Sequence, residues 1–268
     1  MEPLTVTRGK GPIVLAMPHS GMWVPPVIWA RLNERGRRLA DTDWHLDRLY
    51  EGLVPDATII RANFHRYVID TNRDPSGKSL YPGQNTTGLC PITDFDGRAI
   101  YQEGMEPDAS EIEGRRRAYH GSYHAAVADE LERVRKEHSI AVLYDCHSIR
   151  SHIPFLFDGT LPDFNVGTNG GVTCDVLFER AVTSVCAAAD GYTSVLNGRF
   201  KGGWTTRHYG RPEQGIHAVQ MELAQSTHLE AESPPFAYSR TKADRLRPYL
   251  ASVLETLAAQ ARTLAKEA

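Results

Sequence analysis

Several features that define large classes of protein are missing from this 268-residue sequence. No window approaches about 18 consecutive apolar residues, and the N-terminus has no apolar run of signal-peptide length. Lys and Arg number 30 against 33 Asp and Glu, so the chain lacks the net positive charge that binding to nucleic acid or anionic membrane requires. We expect a cytoplasmic protein with a small-molecule partner and with neither nucleic acid nor membrane as partner. The sequence leaves the oligomeric state open.

Cysteine is also scarce. The chain has four cysteines, which are too dispersed for a C-x-x-C metal or redox motif. A reducing cytosol keeps such residues as thiols, and burial as small core side chains is their usual role. We expect this role for Cys90, Cys146, Cys174 and Cys186.

No internal repeat, low-complexity tract or long linker divides the chain, so we expect one domain over residues 1–268. Short aliphatic runs recur, and each is followed at once by polar residues. These runs cover residues 13–17, 67–69, 140–144 and 218–221. Apolar runs with little alternation are typical of strands that are buried on both faces of a sheet.

Between and after these runs, apolar residues recur at spacings of three and four, which is typical of helices. Ser110 and Glu113 form a candidate capping box for a helix that continues to about Lys136. A C-terminal helix with Pro248 near its start or at a kink carries an apolar face. That face comprises Leu250, Val253, Leu254, Leu257, Ala261 and Leu264. Alternating strands and helices indicate an α/β fold, with a mixed, largely parallel sheet covered by helices on both faces.

Residues 73–104 differ from the rest, because proline or glycine recurs every few residues. We expect a long ordered loop, and such loops usually serve as lids or as walls of a substrate site. In open α/β sheets, ligands bind at the carboxyl ends of the strands. The polar residues that follow the apolar runs are therefore the candidates for chemistry.

Two histidines and a carboxylate form a candidate metal site. His19 and His147 each lie at the end of a predicted strand, and Asp43 lies in an acid-rich stretch 24 residues after His19. Two imidazoles and one carboxylate are a ligand set of catalytic zinc, which keeps a fourth position for water. Asp41 and Asp47 are nearly as good candidates for the carboxylate, and spacing does not choose among the three.

Other charged residues suggest a base and anion-binding groups. Glu222 ends an apolar strand, where a carboxylate is costly unless it is paired or useful, and beside a metal it would serve as a general base. Arg73 and Arg207 are candidates for binding a carboxylate through two parallel hydrogen bonds. Each of the three also has an ordinary interpretation, as a strand-end ion pair or a solvated surface charge.

Three further patterns carry less weight. His120 and His124 share a helix face, but the H-E-x-x-H pattern is absent, so we interpret them as structural or cavity-lining. Cys146 and His147 are adjacent on a strand and point to opposite faces, which excludes a nucleophile–base pair. Ser20 does not lie in a G-x-S-x-G elbow, so a serine hydrolase is unsupported.

Six segments occur in a specific order: PHSG at 18–21, DTDWH at 41–45, DTNRDPSG at 70–77, DCHS at 145–148, PDFNVG at 162–167 and MEL at 221–223. Over roughly residues 13–230, this order resembles the N-formylglutamate amidohydrolase family. That family is similar, more distantly, to zinc carboxypeptidases and aspartoacylases, which implies a zinc-carboxypeptidase-like (phosphorylase/hydrolase-like) fold.

The resemblance also implies a set of roles. Zinc would be held by His19, Asp43 and His147, Glu222 would be the base, and the substrate carboxylates would be bound by Asn72, Arg73 and Arg207. Cobalt, manganese or iron stay open as alternatives to zinc. The peptidases have a Glu three residues after the first His, whereas this chain has Met22, so the choice between Asp43 and Asp41 stays open.

The reaction implied is hydrolysis of N-formyl-L-glutamate to formate and L-glutamate, which closes one route of histidine degradation. Two alternatives are a sister amidohydrolase acting on another N-acyl amino acid and a non-catalytic binding protein on the same scaffold. A small formyl pocket would be closed by bulky residues such as Phe155 or Trp204. The presence of Glu222 beside both histidines argues against the binder, which needs no base.

Overall fold

A mixed sheet forms the centre of the molecule in the computed structural model, which describes residues 2–80 and 82–267. Its strands are β1 (Leu4–Thr7), β2 (Ile13–Met17), β3 (Thr58–Ala62), β4 (Ala141–Ile149), β5 (Phe164–Gly167), β6 (Ser194–Leu196) and β7 (Ile216–Ala224). The seven strands lie in the order β1-β3-β2-β4-β7-β5-β6. The central four, β3, β2, β4 and β7, are parallel. The β5–β6 pair runs antiparallel to β7, and β1 runs antiparallel to β3.

The helices are α1 (Pro26–Trp29), α2 (Leu46–Tyr50), α3 (Ala109–Arg115), α4 (Ser122–His138), α5 (Val176–Ala187), α6 (Trp204–Tyr209) and α7 (Arg240–Glu267). A π-helical segment, Arg116–Gly121, joins α3 to α4. This architecture confirms the expected α/β fold with a largely parallel sheet. Within the described ranges, no helix is both long enough and apolar enough to cross a membrane.

Two apolar cores cover the two faces of the sheet, because successive strand residues point to opposite sides. On one face, Tyr144 and Val219 pack with residues of α2, α5 and α7. On the other, Leu143 and Ala218 pack with residues of α4 and of the segments that flank the long loop. Each fully buried Leu or Val side chain contributes roughly 1.5–3 kcal/mol, so these cores hold the strand ends in fixed positions.

Most of the predicted elements are present. The runs at 13–17 and 218–221 lie in β2 and β7, and residues 141–144 of the third run lie in β4. Pro248 lies within α7. Residues 73–104 contain no helix and no strand among those the structure describes, apart from isolated bridges such as Thr93 with Ala99. The four cysteines are buried free thiols, as expected.

Two local predictions are wrong. Residues 67–69 form no strand, and they lie in a buried turn region in which the Val68 amide donates to the His65 carbonyl at 2.9 Å. Their burial in the core explains the apolar run. The predicted capping box at Ser110 is also incorrect, because the N-cap of α3 is Asp108, whose carboxylate accepts a hydrogen bond from the Glu111 amide.

Candidate functional site

Polar side chains replace apolar ones at the carboxyl ends of the two longest strands. In the parallel pair of β4 and β7, His147 lies beside Glu222 and Asp145 lies beside Gln220. These four side chains continue the alternation of Leu143 and Ala218, so they share one face of the sheet. Cys146 points into the opposite core, as the strand geometry predicts.

The chain brings His19, Asp43 and His147 together from three segments. His19 lies two residues beyond β2, and its carbonyl accepts a hydrogen bond from the Asp43 amide at 3.1 Å. The Nδ1 atoms of His19 and His147 are 3.2 Å apart. Asp43 Oδ2 lies 3.2 Å from His147 Nδ1 and 3.8 Å from His19 Nδ1. All three side chains are buried.

The opposite edge of each ring contacts other polar groups. His19 Nε2 lies 2.8 Å from Asp70 Oδ1, and His147 Nε2 lies 3.1 Å from Asp145 Oδ1. The second carboxylate oxygen of Asp43 accepts a hydrogen bond of 2.9 Å from Arg66 Nη2. Such outer contacts fix the orientation of imidazole and carboxylate ligands in metal sites.

The electrostatics make His19 an acceptor toward the centre of the cluster. Burial, with the Arg66 cation, lowers the pKa of His19 to about 4, so its ring is neutral at pH 7. Burial opposes ionisation of Asp70, but Arg73, His19 and Arg66 outweigh it and hold its pKa well below the ordinary value. A neutral His19 therefore donates its one N–H to the Asp70 carboxylate and presents the Nδ1 lone pair to the cluster.

Asp43 and His147 complete this centre. Burial alone would raise the pKa of Asp43, but the Arg66 cation and the contact with His147 lower it below its ordinary value. Burial alone would lower the pKa of His147, but Asp145 and Asp43 raise it well above the ordinary value. Two acceptors, His19 Nδ1 and Asp43 Oδ2, thus converge on His147 Nδ1, and this position requires either a proton or a metal ion.

The spacing of the three atoms suits a metal ion. Bonds of about 2.0–2.2 Å in tetrahedral geometry put ligand atoms roughly 3.3–3.6 Å apart, close to the observed 3.2–3.8 Å. This buried His-Asp-His group can therefore hold a metal ion. The other two candidate carboxylates lie elsewhere. Asp41 accepts hydrogen bonds from the Tyr67 hydroxyl and the Phe95 amide, and Asp47 is half-exposed and pairs with Arg61.

A cavity of about 180 Å³ opens beside this group. His19, His147, Asn72, Arg73 and Glu222 all line it, so the structure brings these predicted residues together. Burial raises the pKa of Glu222 to about 8, with a smaller opposing effect from the His147 cation. A bound metal ion would lower that pKa, because nearby positive charge favours the carboxylate.

Arg73 is held firmly at the cavity wall. Its Nε and Nη2 donate to the carbonyl and hydroxyl of Thr87, and its Nη1 donates to the Asn72 carbonyl. The Asn72 amide oxygen accepts from the Thr205 amide at 2.9 Å. Gly203 is required at this point, because a Cβ there would overlap the Asn72 amide group.

The structure does not place Arg207 beside the other candidate site residues. It lies on α6, its Nε donates to the Gly202 carbonyl at 2.8 Å, and it is not among the described residues that line the cavity. Its binding of substrate stays a prediction from the sequence.

The bulky residues that line the cavity also differ from those expected. Phe155 and Trp204 are not among the described residues that line the cavity. The large apolar residues that do line it are Leu80, Leu89, Phe95, Ile149, Leu156 and Phe200.

Several residues of this site are absent from the sequence-based set: Arg66, Asp70, Asp145 and Arg199. The two aspartates follow apolar runs, as His19 and His147 do, so the same signal marks them. The two arginines lie in loops, and nothing in their local sequence distinguishes them from solvated cations.

His120 and His124 are structural, because they contact the carbonyls of Arg73 and Thr71 through Nε2 at 3.1 and 2.7 Å.

The fold and this cluster define an α/β protein with a candidate metal centre at the carboxyl ends of its parallel strands. The model of the family described as N-formylglutamate amidohydrolase matches residues 11–229, and the chain belongs to this family. A Pseudomonas aeruginosa protein named N-formylglutamate deformylase is 49% identical over 262 residues, covering 97% of this chain and 98% of the relative. A Pseudomonas putida protein of the same name is 45% identical over 258 residues, covering 96% of each.

Solved structures agree on the fold. A crystal structure of N-formylglutamate amidohydrolase from Ralstonia eutropha JMP134 superposes with a TM-score of 0.79 at 23% identity, covering 100% of both chains. A gene product of Agrobacterium tumefaciens gives a TM-score of 0.71 at 17% identity, covering 97% of this chain and 96% of the other. At these identities the likeness concerns the fold alone.

Proposed function

We propose that this protein is a zinc-dependent amidohydrolase that converts N-formyl-L-glutamate and water to formate and L-glutamate, a reaction that closes one route of histidine degradation. The observation that carries the proposal is the convergence of two imidazoles and a carboxylate on one point, directly beside Glu222. The names of the two Pseudomonas relatives support the choice of substrate.

The metal ligands in this proposal are His19 Nδ1, His147 Nδ1 and Asp43 Oδ2. Zinc with three protein ligands supplies a Lewis acid and lowers the pKa of water toward neutrality. Asp70 and Asp145 orient the two imidazoles from behind. Arg66 holds the other oxygen of Asp43 and leaves only one oxygen facing the centre.

Glu222 is the proposed general base. It lies next to His147 across the β4–β7 pair and lines the cavity, so its carboxylate is available to a water at the centre. One Glu222 oxygen accepts the proton of the attacking water. When the C–N bond of the formamide breaks, Glu222 returns this proton to the departing nitrogen, which leaves as the amine of glutamate.

Arg73 and Asn72 are the proposed substrate-binding residues. Hydrogen bonds to Thr87 and Asn72 use three of the five N–H groups of Arg73, and its Nη2 also lies 3.6 Å from Asp70 Oδ2, so the guanidinium keeps at least one Nη1 donor for a carboxylate. These contacts fix the guanidinium before substrate arrives, and binding energy is converted into orientation. The side-chain nitrogen of Asn72 lies 3.1 Å from His147 Nε2, and the Asn72 carbonyl accepts a hydrogen bond from Arg73. Asn72 therefore connects Arg73 to the candidate ligand His147.

The experiment compares three substrates: N-formylglutamate, N-acetylglutamate and N-formylglutamine. Release of formate or acetate is measured at equal concentration with zinc-loaded enzyme. We expect N-formylglutamate to react fastest, because an acetyl methyl overpacks a closed pocket and a carboxamide leaves a cation without its carboxylate. Faster release of acetate would favour the sister amidohydrolase, and absence of any release would favour a binding protein.

The metal is tested separately. His19→Ala and His147→Ala are each expected to lose stoichiometric zinc together with activity, since two remaining ligands rarely hold a catalytic ion tightly. His138→Ala, at the end of α4, is the matched control and should keep both. Metal analysis of the purified proteins decides the matter. Full zinc occupancy in both ligand variants would remove these histidines from the site.

A further inference from the structure

Cationic side chains outnumber acidic ones among the described residues that line the cavity. Its cationic lining residues are Arg66, Arg73, Lys78 and Arg199, and its acidic ones are Asp74 and Glu222. Arg66 and Arg73 both lie near buried aspartates. The Arg66 guanidinium is 2.9 Å from Asp43 and 3.8 Å from Asp70, and Arg73 Nη2 is 3.6 Å from Asp70 Oδ2. Such a surface is complementary to a ligand with more than one negative charge.

Arg199 reaches this cavity from the loop that follows β6. Its Nε donates to the Leu156 carbonyl at 3.0 Å, and its Nη2 contacts the Asn85 carbonyl at 3.4 Å. Its guanidinium carbon lies 5.4 Å from the centre of the Phe200 ring. These contacts limit the rotamers of the side chain and direct the guanidinium along the cavity wall.

Arg73 and Arg199 contact the same short segment of the long loop. Arg73 binds Thr87, whereas Arg199 contacts Asn85. Two residues of chain span at most about 7 Å, so the two backbone carbonyls that anchor the guanidiniums are no farther apart than that. Each guanidinium contacts its own carbonyl, so both cations reach the same short stretch of the cavity wall, where a ligand with two carboxylates can contact both.

We propose that Arg199 binds one carboxylate of the substrate and Arg73 binds the other, so that the pair selects N-acyl dicarboxylic amino acids. This inference rests on the proposed function and specifies its substrate class. Arginine suits the role because its planar donors match both oxygens of a carboxylate. Lys78, which is exposed and also lines the cavity, supplies only a point charge.

The test uses neutral isosteres of each carboxylate. N-formylglutamine lacks the side-chain charge, and N-formylisoglutamine lacks the α-carboxylate charge. The rate constant kcat/KM for formate release is measured for these two and for N-formylglutamate with wild type, Arg199→Gln, Arg73→Gln and the control Arg180→Gln. Arg180 is exposed on α5 and does not line the cavity.

We expect Arg199→Gln to lower kcat/KM for N-formylglutamate by roughly tenfold to a hundredfold, because a charged hydrogen-bonding pair is lost. For the isostere in which the carboxylate bound by Arg199 is already a carboxamide, the same variant should change kcat/KM by less than about threefold. Arg73→Gln should leave kcat/KM for the other isostere nearly unchanged, and Arg180→Gln should resemble wild type with all three substrates.

A structural defect gives a different pattern, since a displaced loop would slow all three substrates equally. Equal loss for the three substrates, or no loss for any, would overturn the assignment of Arg199 while leaving N-formylglutamate hydrolysis intact. Failure of wild type to release formate from N-formylglutamate would instead overturn the proposed function itself. Partial recovery by Arg199→Lys would support a charge contact over a packing role.

Discussion

At the residue scale, the two histidines of the candidate metal site are predictable because each follows a strand whose apolar pattern is visible in the sequence. The carboxylate is not, because three aspartates lie within seven residues and only folding separates them. The Asp43 amide is tied to the His19 carbonyl, whereas Asp41 is taken up by Tyr67 and Phe95. These are contacts between distant segments, which spacing along the chain does not encode.

Under the proposed ligand assignment, a proton and a metal ion compete for His147 Nδ1, because both use the same lone pair. Asp145 and Asp43 raise the pKa of His147 well above its ordinary value, which favours the protonated ring when no metal is bound. We expect zinc binding at pH 7 to release about one proton or more per site, and zinc affinity to rise as pH increases toward that pKa.

Calorimetry in two buffers of different ionisation enthalpy measures this release. Glu222→Gln is the control, because Glu222 also has a raised pKa and is expected to lose its proton when a cation binds. The release that persists in this variant belongs to His147. Zinc binding without proton release in either protein would contradict the assignment.

The same glutamate supplies a kinetic prediction. Glu222→Gln keeps the size of the side chain but removes the proposed acceptor of the water proton, so kcat should fall by roughly 10²–10⁴. Zinc content should be unchanged, because Glu222 is not one of the three ligands. Steady-state kinetics with metal analysis checks both points. A near-normal kcat would assign the base to another group.

At the scale of elements, β2, β4 and β7 follow from short apolar runs, whereas residues 67–69 show the limit of that signal. A buried turn requires the same aliphatic side chains as a buried strand, and periodicity over three residues does not separate them. The π-helical segment at Arg116–Gly121 is also outside what spacing predicts. It lies between α3 and α4 and includes His120, which contacts the Arg73 carbonyl.

The N-terminus of α3 offers a direct test of the corrected cap. Asp108 accepts a hydrogen bond of 2.8 Å from the Glu111 amide, and both Asp108 and Ser110 are exposed. Asp108→Ala should cost about 1 kcal/mol, which lowers Tm by about 2–4 °C in a protein of this size. Ser110→Ala is the matched control and should shift Tm much less. Equal shifts would show that Ser110 shares the capping role.

At the scale of the whole molecule, the site depends on the order of strands in the sheet. The parallel strands β2, β4 and β7 are adjacent, so residues from positions 19, 147 and 222 meet at one edge. The long loop then covers this edge and supplies a large part of the cavity wall. The sequence indicates a sheet and a loop, but strand order depends on packing between distant segments and is not visible in local patterns.

Burial of Glu222 in the cavity also lowers the stability of the metal-free folded protein as the pH rises above the ordinary pKa of a glutamate. Its folded pKa, about 8, lies above the ordinary 4.5, so the folded state holds a proton that the unfolded state releases. Between these values, each rise in pH favours the unfolded state. The cost is absent below pH 4.5, grows as the pH rises and is complete above about pH 8.

Metal-free Glu222→Gln should therefore gain stability relative to metal-free wild type as pH rises from 5 to 8, and the difference should level off above that. Other titrating groups are common to the two proteins and cancel in the difference to first order. Denaturant unfolding of chelator-treated protein at several pH values measures it. With saturating zinc, the cation lowers the pKa of Glu222 and the difference should shrink. A difference independent of pH without metal would mean that Glu222 is already ionised in the folded protein at pH 5.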